Sequence, residues 1–254
     1  MSTFLTLLIM LQAIYLACMV FIVQKKQDTS IANFTWGGGV MLTAIYTLFY
    51  LSTFFTRQLL ITALTLIWGS RLALYVYLRY RGNDPRFQSW KHEGGLSSLI
   101  LNLGYIFGLQ ALLLVVMSIP AFTINTFSGP GLNYRDYAGV LIWLLGFYWE
   151  AVSDYQLFHF MQDPANKGKI MRYGLWQYSR HPNYFGEVTM WWGIFLIASS
   201  VTYGLFTIVA PLTITVLLVF ITGIPWVEKV FENNPEYQEY KRKTSMFIPM
   251  PPKA

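Results

Sequence analysis

Between Val188 and Trp226 the chain runs for 39 residues without one Asp, Glu, Lys, Arg or His. As helix, at 1.5 Å per residue, that is about 58 Å, roughly twice the hydrocarbon core of a bilayer at about 30 Å. One span cannot absorb it, so the run is expected to fold back as a hairpin turning near Ser199 to Gly204. Five further apolar runs are long enough to be read as helices: Phe4 to Val23, about 34–55, about 58–78 with Arg71 inside it, about 96–120, and about 138–160 with Glu150 and Asp154 inside it. The expectation is an all-α, polytopic membrane protein of about seven transmembrane helices in one bundle. No basic residue precedes the first run, so it is read as a retained helix rather than a cleaved signal. The triplet Gly37, Gly38 and Gly39 in the second run predicts close approach by other helices. A loop rich in Gly, Pro and Asn is expected around Ser128, Gly129, Pro130, Gly131 and Asn133.

Composition agrees. Only 12% of the 254 residues are charged and 55% are hydrophobic, whereas soluble chains are about a quarter charged. A soluble enzyme, a disordered chain and a disulfide-stapled domain are excluded, the last because Cys18 stands alone. A net charge of +6 could suggest nucleic acid, but in a membrane protein it reports orientation first, so no nucleic-acid partner is expected. With the amino terminus outside, the inner segments would hold Lys25 and Lys26; Arg79, Arg81, Arg86 and Lys91; Lys167, Lys169, Arg172 and Arg180; and Lys229, Lys241, Arg242, Lys243 and Lys253. The outer side would keep only Arg57 and Arg135. This asymmetry puts the carboxyl tail in the cytoplasm. No second domain or repeat is visible in 1–254. The tail from Val227 to Lys243 alternates aromatic and charged residues, which suits a segment lying along the cytoplasmic face. Oligomeric state is not legible, since apolar outer faces are expected in lipid.

Ionisable groups inside spans are costly and each carries a functional hypothesis. Glu150 and Asp154, four apart, share a helix face and need a cation, donors or a proton; the plainer alternative is an ion pair with Arg71 or the basic loop. A denser cluster follows. The basic stretch Lys167, Lys169, Arg172, Arg180, His181 enters a helix through Pro182, and Asn183 and Glu187 share its inner face one turn apart. A positive loop, a helix amino terminus and a buried polar pair describe a site for an anionic molecule entering from the cytoplasm, against the alternative of an ordinary positive-inside loop. Gly186 beside Glu187 allows close approach of either a ligand or another helix. His92 reads as solvated and His159 as a boundary residue. The histidines and one cysteine form no metal-ligand pattern, so no metal is expected. No Walker loop, dinucleotide G-x-G-x-x-G or nucleophile elbow is present.

The run Ser153-Asp154, then Gly174-Leu175-Trp176-Gln177-Tyr178-Ser179-Arg180-His181-Pro182-Asn183-Tyr184-Phe185-Gly186-Glu187, then Trp191-Trp192-Gly193 resembles the carboxyl-terminal domain of steroid 5-alpha reductases. It is also similar to the sterol C14 and C7 reductases, which share His-Pro-Asn-Tyr. Bacterial 5-alpha-reductase-like membrane proteins resemble the whole chain, including Trp68-Gly69-Ser70-Arg71-Leu72, Asp84-Pro85-Arg86 and Phe247-Ile248-Pro249. The resemblance implies a seven-helix bundle whose carboxyl-terminal half, 138–254, binds NADPH beneath a lipid-like substrate. Asp154, Asn183 and Glu187 match cofactor-contacting positions, and Lys169 stands where the reductases have arginine. Arg172, Arg180 and His181 complete the expected cofactor set. Glu150 stands where those enzymes tend to have asparagine, and the glutamate that polarises their steroid ketone has no counterpart in the first two spans.

The implied reaction is hydride transfer to the beta carbon of a conjugated system in a hydrophobic small molecule, with Tyr184 or Tyr105 as the acid. Arg71 is a further candidate for anchoring a polar group. An alternative is a methyltransferase similar to isoprenylcysteine carboxyl methyltransferases: Arg180 to Gly186 also satisfies their Arg-His-Pro-x-Tyr-x-Gly motif. S-adenosylmethionine would then be the cofactor, and Glu228 and Glu232 its tail acids. A non-catalytic lipid-binding membrane protein is the third reading. A channel is disfavoured because the polar groups crowd at one end.

Overall fold

The computed structural model describes residues 2–26, 32–79 and 95–253. Asp84-Pro85-Arg86, Arg81, Lys91 and His92 lie outside the described residues. The helices are α1 (Ser2–Lys26), α2 (Ala32–Leu51), α3 (Thr56–Arg79), α4 (Gly95–Phe127), α5 (Tyr134–Gln162), α6 (Pro182–Ala198), α7 (Val209–Val216), α8 (Ile224–Val230) and α9 (Pro235–Lys243). No strand occurs among the described residues. The chain divides into two compact units, 1–132 with 201–203, and 133–200 with 204–254.

Among the described residues four stretches are long and apolar enough to cross a membrane: Thr3–Lys26, Thr56–Leu78, Asn102–Phe127 and Gly204–Val230. That is fewer than the seven expected, for distinguishable reasons. In α2 only Trp36–Leu51 qualifies as apolar and it is short. At 17 residues, α6 reaches about 26 Å, and α5 is long but carries Asp136, Glu150 and Asp154. Large apolar side chains lie on the outer helix faces, among them Leu141, Leu144, Leu205, Phe206 and Phe220, as expected of helices facing lipid tails.

In the first unit the three consecutive glycines of α2 meet three different helices. A Cβ on Gly37 would sit 3.5 Å from Gly69 Cα of α3. One on Gly38 would collide with the Tyr15 ring of α1, and one on Gly39 with Leu114 of α4. Buried amides stitch the same helices. Asn125 Nδ2 donates to Thr47 Oγ1 at 2.7 Å and to Ala44 O at 3.1 Å. Gln58 Nε2 donates to Asn125 O at 2.7 Å, and Gln12 Nε2 to Thr43 Oγ1 at 2.8 Å. In an apolar bundle such bonds give the helices a register that apolar contacts alone leave loose.

The second unit is organised by α5 against α6. Asn133 caps α5: its side chain accepts from Arg135 N at 2.9 Å while Asp136 Oδ2 accepts from Asn133 N at 2.7 Å, a capping box that satisfies otherwise orphaned amides. Glycines then recur every seven residues on both helices. A Cβ on Gly139 would lie 2.7 Å from Gly193 O, and one on Gly146 would lie 2.6 Å from Gly186 O. Ser153 and Ser179, each seven residues further along the same two series, are fully buried. A seven-residue repeat of small side chains keeps one seam facing the partner helix and lets the backbones touch.

The long ionisable-free run does fold back. It leaves helix at Ala198, turns through 199–203 with Tyr203 at φ 63, and returns through a 3₁₀ turn, α7, a π turn at Leu217–Ile221 and α8. The two arms are joined by Trp192 Nε1 donating to Thr215 Oγ1 at 3.4 Å.

Candidate functional site

The polar residues singled out in the sequence gather at the end of α5 and the start of α6, in the second unit. Asp154 is buried on α5. Asn183, in the first turn of α6, donates from Nδ2 to Asp154 Oδ1 at 3.2 Å. Glu187 follows one turn later, half-buried. Glu150 is buried one turn before Asp154, its backbone against Gly186: a Cβ there would strike Glu150 N and lie 2.6 Å from Gly146 O. Gly186 therefore admits a helix.

The connection between the helices is pinned from both sides. Trp176 Nε1 donates to Ser153 O at 3.0 Å, and Leu175 N to Gln156 Oε1 at 2.9 Å. The turn at Gly174 has φ +62, and any Cβ there would meet the Gln156 side chain. Lys167, Lys169 and Arg172 are exposed on this loop; Arg172 stands 3.9 Å from Glu236.

Arg180 departs from expectation. Its side chain is only 6% exposed and points into the protein. Nε donates to Glu228 Oε1 at 2.9 Å and Nη2 lies 2.6 Å from the same oxygen. Nη1 donates to Lys241 O at 2.9 Å and Thr244 O at 3.0 Å. Lys241 Nζ holds the other Glu228 oxygen at 2.7 Å. His181 is buried too, its Nε2 3.6 Å from Glu228 Oε1 and its ring stacked at 5.5 Å on Tyr184. Burial pushes the His181 pKa below the usual imidazole value, against the opposing pull of Glu228. Two of the expected cofactor residues thus belong to a buried ionic cluster, because a guanidinium away from water needs a carboxylate and carbonyls to replace its hydration.

That cluster ties down the tail. Arg180 N donates to Ser245 O at 2.8 Å, Met250 N to Tyr178 O at 2.9 Å, and Ser179 Oγ to Phe247 O at 2.8 Å. The Tyr240 hydroxyl donates to Trp176 O and to Ser179 O. Burial raises its pKa, and that of Tyr237 is pushed up to about 12. Sequence reading reached Glu228 only through the methyltransferase comparison and missed Tyr240, whose partners are backbone carbonyls over sixty residues away.

The remaining candidates lie elsewhere. Tyr105 is 74% exposed on α4 of the first unit. Arg71 is half-buried on α3 of the first unit. His159 is exposed, its Nδ1 2.9 Å from Tyr155 O. Glu232 is exposed on the tail.

No curated protein and no solved structure matches the chain. A family model described as protein of unknown function DUF1295 matches residues 19–244, which takes in most of both units, including Asp154, Arg180, Asn183, Glu187 and Glu228. The chain belongs to the DUF1295 family.

Proposed function

We propose that the protein is a membrane-embedded, NADPH-dependent reductase of a conjugated double bond in a steroid-like, isoprenoid or other lipid substrate. The observation that carries this reading is the Asp154–Asn183 hydrogen bond across two facing helices, with Glu187 one turn beyond and exposed Lys167, Lys169 and Arg172 on the loop that joins those helices. The donor set fits a dinucleotide: carboxylates and an amide for hydroxyl and carboxamide groups, and cations for phosphates. NADPH, when bound, supplies the hydride. Asp154, Asn183 and Glu187 bind and orient it, the loop cations hold its phosphates, and the Tyr184 hydroxyl donates to the substrate oxygen. Arg180 acts inward and takes no phosphate. Steroid 5-alpha reductases are the resemblance behind this chemistry.

The same reading has seven crossings, with the amino terminus outside and the carboxyl terminus cytoplasmic. Contacts within the second unit support the alternation. Arg135 Nη1 donates to Ser199 O at 2.8 Å and Ser200 Oγ to Asn133 at 3.1 Å, which joins two turns that this topology puts outside. The loop 163–181 and the tail, both placed inside, are joined by Arg180 and Glu228.

The methyltransferase alternative asks tail acids to serve S-adenosylmethionine, but Glu228 is already engaged by Arg180 and Lys241. Purification in mild detergent followed by mass spectrometry of the retained nucleotide separates the readings. NADPH or NADP is expected, and S-adenosylmethionine or its demethylated product would replace the reductase with the methyltransferase. If neither is retained and added NADPH does not bind, the non-catalytic lipid-binding reading takes over. Glu187→Ala should abolish dinucleotide binding with membrane insertion intact.

A further inference from the structure

From Ser245 to Met250 the tail alternates strictly: Ser245, Phe247 and Pro249 are half-buried, while Met246, Ile248 and Met250 are exposed. The inward residues account for the docking already described. Ser245 O and Phe247 O accept from Arg180 and Ser179, and the Phe247 ring meets Phe185 at 5.8 Å. The chain bends at 246–248, and the three side chains left on its outer side are all large and apolar. Exposed apolar side chains grouped in this way call for a partner.

Three features identify that partner. The row is flanked by exposed cations: Lys241, Arg242 and Lys243 at the end of α9, and Lys253 beyond it. It also lies at the level where the helices of this unit begin and end. It bonds to residues 178–180, just before α6 begins at Pro182, on the loop leaving α5 at Gln162. Finally, α9 begins five residues after the apolar stretch Gly204–Val230 ends, and exposed Trp226 and Val230 mark that boundary. Apolar side chains beside a basic cluster at a span boundary are the composition of an interfacial, anionic-lipid-binding surface.

We propose that residues 241–253 form a two-faced strap whose outer face, Met246, Ile248 and Met250 with Arg242, Lys243 and Lys253, binds an anionic bilayer surface while its inner face holds the loop that leads into the helix carrying Asn183. The inference rests on the bilayer reading alone and stands whichever cofactor binds. Lys241 is left out of the lipid-binding set because the mostly buried Glu228 already holds it; Lys243 faces Glu239 at 3.3 Å, but both side chains of that pair are exposed.

The test uses the full chain in nanodiscs of phosphatidylcholine, with and without phosphatidylglycerol. On a Cys18→Ala background, Met246→Cys, Ile248→Cys and Met250→Cys each carry a nitroxide, whose collisions with oxygen and with a water-soluble nickel chelate report depth. Phosphatidylglycerol should shift all three from the chelate toward oxygen. Arg242→Gln, Lys243→Gln and Lys253→Gln should each weaken that shift by roughly fivefold in the underlying equilibrium, with the thermal unfolding midpoint unchanged. Equal collision profiles in the two bilayers, wet or lipid-exposed, overturn the proposal. Shielding from both reagents also overturns it, since protein, such as a second copy of the chain, would then cover the face.

Discussion

Arg180 and Glu228 show how little a residue type discloses before its partner is known. An arginine in a positive loop before a helix amino terminus is the expected hand for a phosphate, yet this one spends its donors on Glu228 and two tail carbonyls. Removing one member of such a buried pair strands the other. Arg180→Gln or Glu228→Gln should each cost about 3–5 kcal/mol, and the double variant much less than the sum; thermal unfolding in detergent measures both. His181 adds a pH dependence whose sign follows from its environment. Burial lowers its pKa in the folded chain, so below the unfolded value of about 6.5 the unfolded chain binds a proton that the folded chain refuses. Stability is therefore full above that pH and falls as pH drops toward the folded pKa. His181→Gln should flatten the midpoint-against-pH curve in this window; an unchanged slope would remove His181 as the cause.

Among the elements, the α5–α6 pair was half legible. Glycines at 139 and 146, and at 186 and 193, recur at a seven-residue spacing that is plain in the chain, but spacing alone does not say which two helices share the seam. The fold pairs them antiparallel, with Gly186 against the Glu150 backbone. Gly186→Ala should destabilise by about 1–3 kcal/mol through overpacking and pull Asn183 off Asp154. Gly104→Ala, at a helical position with nothing within 4 Å, should be neutral or stabilising by up to about 1 kcal/mol, as the same thermal assay would show. The hairpin was legible for a stronger reason: 39 residues without an ionisable group exceed what one crossing holds. The end of α4 was not. Helix continues through Pro120 to Phe127, where the apolar run suggested a stop at the proline, because a lost amide in a packed bundle is compensated by neighbours.

For the whole molecule, the distribution of Lys and Arg predicts an orientation that no helix packing can supply. A tag after Ala254 should be protected in intact cells and labelled only after permeabilisation, whereas a cysteine introduced at Gly129 should be labelled from outside; the reverse pattern would invert the topology. The site belongs to the second unit, 133–200 with 204–254, and is built there from α5, α6 and the tail together.

Apolar run length, charge asymmetry and turn residues are properties of local composition. The chain alone therefore determined that it is helical, that several of its helices are long and apolar enough to cross a membrane, where it turns back, and that Asp154, Asn183 and Glu187 merit attention. Only the tertiary structure decided which polar groups meet. It set Asn183 on Asp154, turned Arg180 inward to Glu228 and gave Gly186 to a helix. The physical reason is that a buried charge or amide is stable only beside a partner, and those partners lie 29 and 48 residues away in the chain, beyond the reach of any local pattern.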